Sequence, residues 1–186
     1  MNRLKKAALL TSLTQKLRDH GSWCGETHLQ KAVYFLEDLL GLPMGFDFIF
    51  YKHGPFSFDL RDELTSLRAD ELLKLEPQAS PYGPRITSTE QSKRFKKLFS
   101  ETLKRYEEHL EFVAEHFCDK GVTELEQLTT ALYVTKRKKS VKTISDRFGE
   151  MVRLKPHISV ETARIAIEGV DKIIKEAKKI DKIKQI

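Results

Sequence analysis

A chain of 186 residues with a net charge of +6 is long enough to bury a core without metal or disulfide support, and it reads as one domain or one domain with a helical appendage. No apolar run approaches the roughly 20 residues that span a bilayer, and only two cysteines, Cys24 and Cys118, are present, which argues against a secreted disulfide framework and makes the cytoplasm the expected location. The positive charge is local: Lys136, Arg137, Lys138, Lys139, Lys142, Arg147, Arg153 and Lys155 face only Asp146 and Glu150 in residues 136–155, an excess equal to the whole net charge of +6.

The first expected helix covers residues 3–19, with Leu10, Leu13 and Leu17 as its apolar spacing. Thr11, Ser12, Thr14, Gln15 and Lys16 interrupt the apolar start, so it reads as an amphipathic helix and not as a signal segment. Gly21 and Gly25 bracket a turn that holds Trp23. A second helix carries Leu29, Val33, Leu36 and Leu40 on one stripe and stops at Gly41, with Pro43 just beyond. The aromatic run Phe46–Tyr51 is a strand candidate. After it, Gly54-Pro55 is expected to continue neither neighbour, because proline lacks an N–H and glycine disfavours regular structure. Ser57 can cap a third helix over Phe58–Arg68, with Leu60, Leu64 and Leu67 at helical spacing and Asp59 near its positive end.

Residues 72–76 and 85–87 read as two strands around the turn signal Ala79-Ser80-Pro81-Tyr82-Gly83-Pro84. Ser88 and Gln91 match a capping box for a long helix whose seam is Phe99, Leu103, Tyr106, Leu110, Val113 and Phe117. Thr123 and Glu126 match a second box, opening a helix with Leu125, Leu128 and Leu132. Val141, Ile144, Phe148 and Met151 mark a short helix that Pro156 ends. Ser159 caps a last helix, with Ala163, Ile167, Val170, Ile174 and Ala177 as its seam. That seam is expected to pack within the chain or to form a homodimer contact.

The corner Tyr51-Lys52-His53-Gly54-Pro55-Phe56-Ser57 and the helical stretch Leu29-Gln30-Lys31-Ala32-Val33-Tyr34-Phe35-Leu36 resemble the Panacea, or SocA-like, antitoxin domain. In that family a helix reading K-L-x-Y-F precedes a strand ending in a K-Y-G-P corner. Here Lys31-Ala32-Val33-Tyr34-Phe35 and Lys52-His53-Gly54-Pro55 take those places, with His53 where the family has an aromatic residue. The resemblance covers residues 5–115. It implies a bacterial or phage-linked protein that acts by binding and not by catalysis; family members pair with toxins, and some are transcriptional regulators.

The expected fold is therefore mainly α: a winged-helix-like core with a small β-hairpin over residues 1–118, and a helical extension over residues 119–186. The expected contact surface for a toxin or adaptor protein is Tyr51, Lys52, His53, Gly54, Pro55 and Arg61, with Gly54 and Pro55 holding its shape. The alternative partner is DNA, bound through Lys136, Arg137, Lys138, Lys139, Lys142 and Arg147. The third helix is a poor groove reader, since Asp59, Asp62 and Glu63 outnumber Arg61 and Arg68 before a polyanion.

No cofactor or metal is expected. His20, Cys24 and His28 are spaced by four but interrupted by Gly21 and Gly25, and a structural zinc site needs a fourth ligand. No P-loop, G-x-S-x-G, H-E-x-x-H or dinucleotide fingerprint occurs. Glu37-Asp38 and Glu107-Glu108 are adjacent on helices, so each pair diverges.

Overall fold

The computed structural model describes residues 1–80, 83–137 and 143–183. The chain is mainly helical, with two small antiparallel hairpins. Helix α1 (Arg3–Asp19) begins at Asn2, whose side chain accepts the Lys5 N–H at 2.9 Å, and ends with Lys16 and Arg18 near its negative pole. Instead of one apolar stripe, every residue from Ala7 to Thr14 is buried. The polar members pay little for this, because the Thr11 and Thr14 hydroxyls donate to the Ala7 and Leu10 carbonyls at 2.9 and 2.8 Å.

Helix α2 (Glu26–Tyr34) runs into a π-helical turn, Phe35–Leu39. Phe35 is buried there and meets the Phe117 ring edge-on at 4.7 Å. Gly41, at φ +68°, lets the chain reverse after the helix.

The expected strand Phe46–Tyr51 shortens to β1 (Ile49–Tyr51). The Gly-Pro corner, expected to be irregular, instead supplies β2 (Gly54–Phe56), antiparallel to β1 with Phe50 opposite Pro55 and Tyr51 opposite Gly54. Proline is tolerated because the ribbon has only two strands, so no third strand needs its missing N–H. Helix α3 (Phe58–Ala69) starts at Ser57, whose hydroxyl accepts the Leu60 N–H at 3.2 Å. A second hairpin pairs β3 (Leu73–Glu76) with β4 (Arg85–Ser88).

The long helix expected after residue 88 is two: α4 (Glu90–Lys97) and α5 (Ser100–Phe117), separated at Leu98 and Phe99. Thr89, not Ser88, caps the first, accepting the Ser92 N–H at 3.2 Å, while Gln91 donates to the Asp70 carbonyl at 3.2 Å. Helix α6 (Val122–Arg137) begins at Val122, so Thr123 lies inside it and Glu126 is freed for other partners. Helix α7 (Ile144–Leu154) carries a full capping box at Thr143 and Asp146. Val141 lies outside the described residues. Helix α8 (Val160–Ile183) follows Ser159, whose hydroxyl accepts the Thr162 N–H at 3.0 Å.

One apolar cluster extends from Ala7 to Ala177, so it crosses the expected boundary near residue 118. Helix α1 packs on α5, and α6 lies against α2, β2, α7 and α8. The seam of α8 packs within the chain: Ala163, Ile167, Val170 and Ala177 are buried and Ile174 is half-buried against the core. No helix among the described residues is long and apolar enough to cross a membrane. Truncating the fully buried Ile167 to Ala should cost about 2–5 kcal/mol, whereas Ile165→Ala, on a side chain 58% exposed, should cost under about 0.5 kcal/mol. Urea unfolding of the two variants measures the contrast, and equal losses would remove α8 from the core.

Candidate functional site

The hairpin β1–β2 and the start of α3 form one corner with two different faces. Its inner face is braced by α2. The Lys31 ammonium, 1% exposed, donates to the Pro55 carbonyl at 2.8 Å. One helix position earlier, Gln30 donates to the Ser57 carbonyl at 2.8 Å and accepts the Ser57 N–H at 3.0 Å. Buried amide pairing of this kind fixes position as well as satisfying polar groups. Tyr34, also fully buried, donates to Asp38 at 2.9 Å and meets Phe48 edge-on at 5.2 Å. The residues of the Lys31-Ala32-Val33-Tyr34-Phe35 stretch thus work inward.

Helix α6 closes the other side of the corner. Glu126 lies 3.0 Å from the His53 Nδ1 and 3.4 Å from the Lys155 ammonium, which is itself buried. Burial pushes the Lys31 ammonium down to about 8; the Glu126 carboxylate opposes that shift and Lys155 reinforces it. Gly54 is at φ +86°, and a Cβ built there would stand 3.0 Å from the Thr130 hydroxyl. Both the backbone conformation and the closeness of α6 therefore call for glycine.

The outer face is aromatic. Tyr51 and Phe58 are 45% and 39% exposed, and Ile49 beside them is 45% exposed. The Tyr51, Phe56 and Phe58 rings contact one another at 5.1–6.1 Å between centroids. The Arg61 guanidinium lies over Phe58 at 5.0 Å, with its Nε toward Asp62 at 3.3 Å.

The expected contact residues therefore divide. Tyr51 and Arg61 belong to the aromatic face, joined through Phe58. His53 is exposed yet tied to Glu126, Lys52 is exposed, and Gly54 and Pro55 are buried structural elements. Sequence reasoning overlooked Gln30, Glu126, Lys155 and Thr130. Glu126 was legible only as a helix-cap signal, and the partners of Lys155 are distant in sequence. Phe58 was visible in the sequence only as the first residue of the third helix; its exposure, beside a half-buried Phe56, is what places it on the outer face.

In the basic segment, Arg147 is not free for phosphate. It makes two hydrogen bonds to Asp171 at 2.6 and 2.8 Å and two to the Thr135 hydroxyl at 2.7 and 3.1 Å. Lys136 is exposed, the Arg137 side chain is not described, and Lys138, Lys139 and Lys142 lie outside the described residues. The His20, Cys24 and His28 spacing does not converge: His20 meets Glu111 at 2.5 Å, and burial pushes the Cys24 thiol up to about 12. No group of three or more His, Cys, Asp or Glu residues placed to hold a metal occurs among the described residues.

Comparison with known proteins gives no matching family model and no matching curated protein.

Gly54→Ala should destabilise the fold by about 1–3 kcal/mol through its left-handed backbone and the approach of Thr130, measured by urea unfolding; no loss would show that the corner can move. Lys31 gives a pH signature. Its folded value, about 8, lies below the ordinary 10.5, so the unfolded chain holds the proton more tightly and this group's contribution to stability rises as pH climbs between those values. Relative to Lys31→Met, the native chain should gain stability between about pH 7 and about pH 9.5. Parallel pH profiles would mean that Lys31 is not desolvated.

Proposed function

We propose that this chain is a non-enzymatic protein-recognition module that acts as an antitoxin does, by binding a toxin or an adaptor through the outer face of the β1–β2 corner. The exposed set Ile49, Tyr51, Phe58 and Arg61 carries the reading. Aromatic residues and arginine dominate the energetic centres of protein interfaces, because they bury large area at low entropic cost and keep a polar handle. The brace from Lys31 and Gln30 supports it further, since a prepositioned surface loses less freedom on binding. The order α2, α3, β3, β4 favours a winged-helix-like description of this region, used here for protein contact. A cytoplasmic setting suits the free thiols of Cys24 and Cys118.

The rival reading, duplex DNA bound by Lys136, Arg137, Lys138, Lys139, Lys142 and Arg147, is weakened by the internal ion pair of Arg147 with Asp171. The full chain recovered from its native host at moderate salt, with and without nuclease, separates the two. A stoichiometric protein that survives nuclease, and is lost from a Tyr51→Ala/Phe58→Ala variant of unchanged thermal stability, is the expected result. Each truncation at an interface centre should weaken binding by about 2 kcal/mol or more, roughly 30-fold. Retention of the partner by the double variant, or recovery of DNA alone, would overturn the proposal.

A further inference from the structure

The ribbon β1–β2 has two long edges, and only one of them is closed. In an antiparallel pair, opposite residues alternately exchange N–H···O bonds and turn those groups outward. Proline has no N–H, so the pair Phe50–Pro55 is of the outward kind. On the β2 side α2 takes up the outward groups. Lys31 donates to the Pro55 carbonyl at 2.8 Å, and Gln30 bonds both the N–H and the carbonyl of Ser57. On the β1 side the Phe50 N–H and carbonyl have no such partner among the described residues, and the ribbon has no third strand there.

The side chains around the open edge say what would close it. Ile49 and Tyr51 flank Phe50 and are exposed on the outer face beside Phe58. An added strand would lay every second side chain along that apolar surface. The Phe50 ring turns the other way, 4.9 Å from Tyr133 of α6. One helical turn past Tyr133 stands Lys136, which is exposed and opens the basic run Lys136-Arg137-Lys138-Lys139 of the sequence. Lys52, also exposed, carries the β1 edge into the turn, and Asp47 is the exposed acid that precedes the strand. The edge therefore pairs apolar surface on one side with a positive excess on the other. A second copy would bring the same cations to it, and lysine at a strand edge discourages such pairing.

We propose that the partner protein docks an extended acidic segment along β1 as a third strand, hydrogen-bonded to Phe50. Its apolar residues would cover Ile49 and Tyr51, and its alternate, acidic residues would face Lys52 and Lys136. The inference rests on the reading of the corner as a recognition surface and names its mode, in which main-chain bonds hold the segment and alternate side chains select it.

The Phe50 amide, followed by NMR in the isotope-labelled full-length chain, reports on the edge directly. In the free protein it should exchange rapidly with solvent. The capped peptide Val-Glu-Val-Glu-Val, added to millimolar concentration, should shift its resonance saturably and slow its exchange. The peptide Val-Lys-Val-Lys-Val should bind at least about fivefold more weakly, and Lys136→Glu, at an exposed position, should remove that preference. A Phe50 amide protected before any peptide is added, an unshifted amide at millimolar peptide, or equal binding of the two peptides would each overturn the assignment. The titration needs no native partner, so its failure and the failure of the aromatic-face reading are separate outcomes.

Discussion

A buried ammonium reaching from α2 to a proline carbonyl is the constraint on which the corner depends. Lys31 can occupy that place only because the Pro55 oxygen and the nearby Glu126 carboxylate offset part of the cost of taking its charge out of water. Through Glu126 the same cluster draws in His53 from the hairpin turn and Lys155 from beyond α7. Four segments far apart in the chain thus meet around one carboxylate, and the extension after residue 118 becomes part of the wall behind the hairpin. Buried charges of this sort add little net stability, but they penalise any arrangement in which a partner is missing.

The two faces of the corner divide the work between rigidity and recognition. Polar groups point inward and find partners, while Tyr51, Phe58 and Ile49 remain exposed on the outside. An aromatic group exposed on a flexible loop would collapse against its own core. Here Ser57 caps α3 while Gln30 holds its backbone, so the rings keep their positions relative to one another.

Much of the helical frame was legible in the sequence. The spacing of Leu60, Leu64 and Leu67, and of Ala163, Ile167 and Val170, is a one-dimensional signal that burial preserves. The second hairpin was legible too, because turn chemistry separates two short runs. The seam from Phe99 to Phe117 concealed the break at Leu98 and Phe99, since an apolar rhythm can continue through an interruption in hydrogen bonding. At the corner, Gly54 and Pro55 signalled a turn, yet a two-stranded ribbon tolerates both and paired them as a strand. Glu126 fits a capping pattern, but its real partners are 73 and 29 positions away, at His53 and Lys155, beyond the range of any local rule.

The paired bonds of Gln30 carry a consequence for how this chain can drift under mutation. Its carboxamide gives one hydrogen to the Ser57 carbonyl and takes one from the Ser57 N–H, so it imitates the edge of a neighbouring strand. Glutamate has nearly the same shape but lacks the donor, lysine lacks the acceptor, and methionine fills the volume while orphaning both backbone groups. Asparagine retains the order of donor and acceptor on a stem one methylene shorter. The alphabet permitted at residue 30 is therefore set by the sequence of lone pair and hydrogen along an edge, and substitution tables based on size or polarity would misjudge it.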